Sequence, residues 1–150
     1  WWDDDAWWLL GGFTLGAIIA SIPENHETVI VEDTTYYYYG GAYYVPSGNE
    51  YVLSAPPIGA EVDHPPADCS VIDAGDKYYC YFNGTFYWFD QPRKKYIVVE
   101  APEGAVVTYL PQDYAVEYVN TVQYLKYAGT YFKPAYQGNQ QVYVVTKIAG

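Results

Sequence analysis

Few side chains in this sequence have both the type and the spacing for chemistry. The two cysteines, Cys69 and Cys80, flank an Ala74-Gly75 turn signal. Pairing about that turn sets them face to face, at the ~4.5–5.5 Å cross-strand separation that a disulfide bridges. Two cysteines with no local partner do not make a zinc site, which needs four ligands or three and a water. The expected chemistry is an oxidative cross-link, and with it an oxidising compartment. The two histidines are His26 and His64. A hydrolase needs a nucleophile, a base and an orienting acid brought together. Ser21, Ser47, Ser54 and Ser70 sit in no nucleophile-elbow context. Glu100 and Glu103 could pair as a glycosidase does, but neighbouring acids in a loop are ordinarily solvated. Asp3-Asp4-Asp5 lacks the spaced oxygens of a calcium loop, and no glycine-rich phosphate loop is present. No catalytic residue, metal site or cofactor is expected, and the chain reads as a non-enzyme.

The elements that position these residues are strands. The sequence holds 20 Tyr, 5 Phe and 5 Trp and no Met. Tyrosine, valine and threonine fit a pleated, half-buried surface. The net charge is −11, with 18 acidic against 7 basic residues. Phosphate binding needs clustered Lys and Arg, so nucleic acid is excluded as a partner and an anionic membrane surface is disfavoured. Arg93-Lys94-Lys95 forms the one basic cluster and falls in an expected loop.

Self-similarity organises the rest. Gly-Ala pairs open three units at Gly16, Gly59 and Gly104, 43 and 45 residues apart. Tyr36–Tyr39 with Gly40-Gly41, Tyr79–Phe82 with Asn83-Gly84, and Tyr124–Tyr127 with Ala128-Gly129 then share one register. Asn-Gly and Gly-Gly are type I′ hairpin signals, because both central positions need φ > 0. Cys69 and Cys80 fall where the other units have His26 with Tyr37 and Tyr114 with Leu125, so packing is expected there instead. The expected fold is all-β: three tandem antiparallel meander units of about 45 residues, either small SH3-like barrels or one continuous twisted array. The expected boundaries are 16–58, 59–103 and 104–150, after an N-terminal segment 1–15.

Tyr36-Tyr37-Tyr38-Tyr39-Gly40-Gly41-Ala42-Tyr43-Tyr44, followed by Tyr51-Val52-Leu53-Ser54-Ala55-Pro56-Pro57-Ile58-Gly59-Ala60, resembles the DUF6515 group of exported bacterial proteins. The resemblance covers about residues 16 to 150. It implies an envelope-associated or secreted bacterial protein and no particular activity. Where members of the group often carry a His- or Arg-rich preface, this chain has Trp1-Trp2-Asp3-Asp4-Asp5.

A start at Trp1 rather than Met fits a processed product, such as a chain that has lost a secretory signal. Trp8–Ala17 can be laid on Tyr51–Ala60, so residues 1–15 read as the last strand of a missing unit. Tyr143-Val144-Val145 reads as a last strand with an open edge. Unmatched ends invite strand addition between copies. The expected assembly interface is therefore Trp1, Trp2, Trp7, Trp8, Leu9 and Leu10 against Tyr143, Val144 and Val145, giving a head-to-tail homopolymer. Read as a helix instead, Trp7–Ile22 falls short of the ~20 residues that span a bilayer, and no membrane span is expected. In alternating strands Tyr36 and Tyr38 oppose Tyr37 and Tyr39, and one face is expected to be core. Tyr36, Tyr38, Tyr43, Tyr78, Tyr87 and Trp88 are then candidates for an aromatic surface that stacks on a cell-surface glycan. The functional expectation is a structural, self-assembling protein of the bacterial envelope or extracellular space (secreted, at the cell surface or in the periplasm). The alternative is a monomeric glycan- or peptidoglycan-binding module.

Overall fold

The computed structural model describes residues 15–148. The described chain is all-β, and each unit forms one five-stranded antiparallel sheet. The first holds β1 (Ile18–Ile19), β2 (Glu27–Val31), β3 (Thr34–Tyr39), β4 (Ala42–Ser47) and β5 (Glu50–Ser54). The second holds β6 (Glu61–Val62), β7 (Ser70–Ala74), β8 (Lys77–Phe82), β9 (Thr85–Asp90) and β10 (Lys95–Val99). The third holds β11 (Val106–Val107), β12 (Ala115–Val119), β13 (Val122–Tyr127), β14 (Thr130–Gln137) and β15 (Gln140–Thr146). In every unit the last four strands meander, and the short opening strand pairs with the fifth, giving the order β1-β5-β4-β3-β2 and its two counterparts. The opening Gly-Ala makes that closure the same way three times. Gly16, Gly59 and Gly104 donate their N–H to the carbonyls of Leu53, Val98 and Val145, at 2.8, 2.8 and 2.9 Å.

The central turns are those expected. Gly40-Gly41, Asn83-Gly84 and Ala128-Gly129 all have positive φ at both positions, as a type I′ turn requires. The first hairpin of unit 2 differs from its expected register. Ala74 pairs with Lys77, so the turn is Gly75-Asp76. Gly75, at φ 69°, supplies the positive φ at its first position, the geometry of a type II′ turn. The shift sets Cys80 opposite Val71. Cys69 precedes the ladder, where its N–H bonds to the Pro66 carbonyl at 3.2 Å. The disulfide forms diagonally all the same, with the two Cα atoms 5.5 Å apart.

The sheets are open, so the closed-barrel form of the expected fold does not hold. Nor do the sheets join into one, since among the described residues no strand pairing links the units. They pack in series instead. One core joins Val29, Tyr38 and Tyr43 of unit 1 to Ala60, Val62, Tyr87 and Val98 of unit 2. The next joins Tyr81 and Phe86 of unit 2 to Ala105, Val107, Leu125, Phe132 and Val145 of unit 3. The middle sheet is thus apolar on both faces because both are buried, one against each neighbour. The expectation that one aromatic face would be core and the other exposed is corrected by this stacking.

Candidate functional site

The contact between units is built from the same positions twice. Val29, Tyr36, Tyr38 and Tyr43 of unit 1 have Ile72, Tyr79, Tyr81 and Phe86 as counterparts in unit 2, and both sets press on the following unit. Tyr38 donates its hydroxyl to the His64 carbonyl at 3.0 Å, and Tyr81 donates to the carbonyl of Tyr109, the counterpart of His64, at 2.8 Å. Each hairpin turn is seated as well. A Cβ at Gly41 would lie 2.5 Å from the Phe82 ring and 2.9 Å from Pro66, and one at Gly84 would lie 2.7 Å from Tyr127 and 3.0 Å from Pro111. Glycine is required at both for close approach as well as for φ. One pair distinguishes the two interfaces. Between units 1 and 2 the buried hydroxyls of Tyr43 and Tyr87 hydrogen-bond at 2.7 Å. Between units 2 and 3 the same two places hold Phe86 and Phe132, which have no hydroxyl. Burial pushes the phenols of Tyr38, Tyr43 and Tyr87 well above their ordinary range.

The expected site residues are distributed by this packing. Tyr38, Tyr43 and Tyr87 are buried and leave the aromatic surface assigned to them, because they point at the neighbouring sheet. Tyr36 is half-buried against the same core. Tyr78 and Trp88 are exposed, joined by Tyr118 and Tyr136, which the sequence reading did not single out, and by Tyr114, for which it expected packing. Cys69 and Cys80 are bonded as expected, and their unit 1 counterparts His26 and Tyr37 pack edge to face at 4.9 Å. The open edge expected at Tyr143-Val144-Val145 is absent. β15 lies between β11 and β14, and the free edges of that sheet are β11 and β12. Trp1, Trp2, Trp7, Trp8, Leu9 and Leu10 lie outside the described residues. Arg93 forks onto Glu61 at 2.8 and 3.0 Å and reaches Asp90, while Lys95 pairs with Asp63, so two of the three residues in the basic cluster are neutralised within their unit. His64 is exposed, and His26 packs in a turn through its Nδ1 and the Pro23 carbonyl at 2.6 Å. Among the described residues no group of three or more His, Cys, Asp and Glu side chains could hold a metal ion, and no helix is long and apolar enough to cross a membrane.

Two features at the far end of the row escaped the sequence reading. The first is the outward face of unit 3. Where units 1 and 2 place Val29 or Ile72, Tyr38 or Tyr81, and Tyr43 or Phe86, unit 3 has Glu117, Lys126 and Tyr131. Tyr131 donates to Glu117 Oε1 at 2.8 Å, Lys126 Nζ lies 3.8 Å from Glu117 Oε2, and the ammonium sits 5.1 Å from the Tyr131 ring centre. Tyr124 meets Tyr131 edge to face at 6.0 Å. A column comparison of the three units would have found the change, since the apolar pattern breaks at Glu117 and at Lys126.

The second is a groove of about 440 Å³ beside Gly129. Its lining repeats, one unit along, that of a nearly filled site of about 10 Å³ beside Gly41. Leu15, Gly41, Tyr43 and Leu53 of the filled site correspond to Ile58, Gly84, Phe86 and Val98 of the groove, and Thr85 to Thr130. Tyr127 reaches into the filled site, and beside it Leu15 N–H bonds to Asp113 Oδ2 at 3.0 Å. Among the described residues, no atom lies within 4 Å of where a Cβ would stand at the groove's own turn glycine, Gly129.

A protein-family model described as a family of unknown function (DUF6515) matches residues 12–91 and again residues 66–150. Each match spans about two units and shares part of the middle one, so the matched pattern contains one inter-unit contact. No curated protein and no solved structure matches the chain.

Proposed function

The chain belongs to the DUF6515 family, and on that premise we propose that it is a non-catalytic binding module, a discrete row of three units that holds a cell-surface glycan outside the cytoplasm. The observation that carries this reading is the outward face of unit 3. A fourth unit would have to cover Glu117 and Lys126, and burying charges is costly even when they are paired. Repeat arrays end in units with a polar outer face, and this face has that character. The disulfide is consistent with a non-cytoplasmic protein, since such bonds persist in oxidising compartments. We place it in the secreted or cell-surface fraction. The exposed rings of Tyr78, Trp88, Tyr114, Tyr118 and Tyr136 supply amphipathic surfaces that stack on pyranose rings.

Light scattering over a hundredfold range of protein concentration, beside a glycan and peptidoglycan binding screen, tests the reading. A constant monomer mass with saturable glycan binding that Trp88→Ala and Tyr78→Ala weaken supports it. Absence of binding to every glycan removes the ligand assignment.

Head-to-tail self-assembly is the second reading, through residues 1–15 of one copy and the third unit of another. One observation favours it: the groove beside Gly129 has the lining of a site that the repeat fills internally. Filaments in electron micrographs of the protein, lost on deletion of residues 1–15, would establish that reading over the first.

A further inference from the structure

We propose that the glycan reading above, on which this inference rests, has its binding site at one corner of unit 2, where Trp88 shares a face with the Arg93 ion pairs. The ligand class is a neutral hexopyranose held by two adjacent hydroxyls. The strand register places this corner. Trp88 of β9 stands opposite Ile97 of β10, and Ile97 opposite Glu61 of β6, so the three share one face of the sheet. The same row holds Val45, Val52 and Ile18 in unit 1, and Lys133, Val144 and Val106 in unit 3. Only unit 2 combines an aromatic platform with a carboxylate there. Phe86, two residues before Trp88 on the same face, packs into the core shared with unit 3 at 1% exposure. Trp88 is 38% exposed, and it is the one tryptophan among the described residues.

The polar arm of the site comes from the turn that follows Trp88. Units 1 and 3 join their last two strands through Gly48-Asn49 and Gly138-Asn139, whereas unit 2 uses the longer Gln91-Pro92-Arg93-Lys94. Arg93 folds back from that turn. Its Nη1 and Nη2 donate to Glu61 at 3.0 and 2.8 Å, and its Nε donates to Asp90 at 2.8 Å. Asp90 lies two residues from Trp88 and so on the same face. The arm is thereby braced between β6 and β9 on the side of the sheet that carries the indole. A guanidinium has more N–H donors than the three used in these bonds, and each carboxylate keeps lone pairs. Donors and acceptors side by side suit neighbouring hydroxyls: one gives its proton to a carboxylate, the next accepts from Arg93, and the indole stacks on the sugar ring. An acidic sugar fits poorly. The guanidinium fork that would grip its carboxylate is occupied by Glu61, and one cation against two carboxylates leaves the arm anionic.

The test is a titration of isotope-labelled protein that follows side-chain N–H signals beside the backbone amides. Cellotetraose is the neutral probe, and tetragalacturonate, which keeps the hydroxyl pair and adds a carboxylate, is its acidic counterpart. The expected result is saturable shifts at the Trp88 indole N–H, the Arg93 Nε–H and the Ile97 amide with cellotetraose, and several-fold weaker binding of the acid. Trp88→Val and Glu61→Ile install the residue types that unit 1 carries as Val45 and Ile18, so the fold tolerates them, and each should weaken binding several-fold. Arg93→Lys keeps the charge, loses the fork and should weaken binding as well. Cellotetraose binding that moves only other residues and survives Trp88→Val would overturn this site and leave the glycan reading standing. Equal or tighter binding of tetragalacturonate would overturn the neutral class. Binding of neither probe, with none to any other glycan, would remove the glycan reading and this inference with it; binding of other glycans alone would remove only the inference.

Discussion

The buried phenols carry consequences that can be measured one side chain at a time. Tyr43 and Tyr87 hydrogen-bond to each other in a buried interface. Changing either alone to Phe leaves a buried hydroxyl with a lost partner, at about 1–3 kcal/mol. Changing both should cost less than the sum, because Phe86 and Phe132 already fill the same places one interface along. A double-mutant cycle in urea checks this, and additive losses would contradict it. The same phenols set the alkaline limit. Tyr38, Tyr43, Tyr81 and Tyr87 are all raised by desolvation. A tyrosine whose folded pKa exceeds its unfolded value of about 10 keeps a proton that the unfolded chain loses. Stability is therefore intact below pH ~10 and falls as pH rises above it. Absorbance of the phenolate should show this buried set ionising only as the fold is lost. A single smooth titration of all 20 with the fold intact would refute this.

At the scale of strands and turns, the disulfide is the one covalent addition to an otherwise repeated design. It ties Cys69, just ahead of β7, to β8. Closing so short a loop is worth about 2–3 kcal/mol by chain entropy. Reduction should lower the unfolding free energy by that amount and speed hydrogen exchange in β7, leaving β2 and β12 little changed; equal loosening of all three would contradict a local role. Much at this scale was legible beforehand. Gly-Gly, Asn-Gly and Ala-Gly dictated the central turns through φ, and Tyr/Val alternation dictated the strands around them. The expected turn around Gly75 lies one residue early, because Ala74-Gly75 and Gly75-Asp76 are both acceptable turn pairs and only the ladder decides between them. The burial of Tyr38, Tyr43 and Tyr87 was not legible. Alternation tells which residues share a face, and cannot tell whether a second sheet lies on it. The open edge expected at Val145 failed for a related reason: the Gly-Ala start marks an opening strand in each unit but not which strand it pairs with, and β11 pairs with β15.

For the molecule as a row, the proposed reading ends it at unit 3 because of the charges that unit's outward face carries. Glu117→Ile with Lys126→Tyr would give unit 3 the outward face of unit 2. Exposed apolar faces of that kind drive association. The double variant should self-associate in a concentration-dependent way by light scattering, while the parent does not. A variant that stays monomeric would show that these two charges are not what ends the row.

A chain that folds three near-copies of one motif in succession risks docking the wrong pair, since unit 1 could meet unit 3 before unit 2 is ready. The alternation of Tyr43 with Tyr87 and Phe86 with Phe132 acts as a key cut for each lock. Mispaired, Tyr43 would press its hydroxyl against Phe132, a ring with nothing to accept it, and Phe86 would strand the hydroxyl of any tyrosine it met. Two oxygen atoms, present at one junction and missing from the next, thereby number the units in the order in which they must be joined.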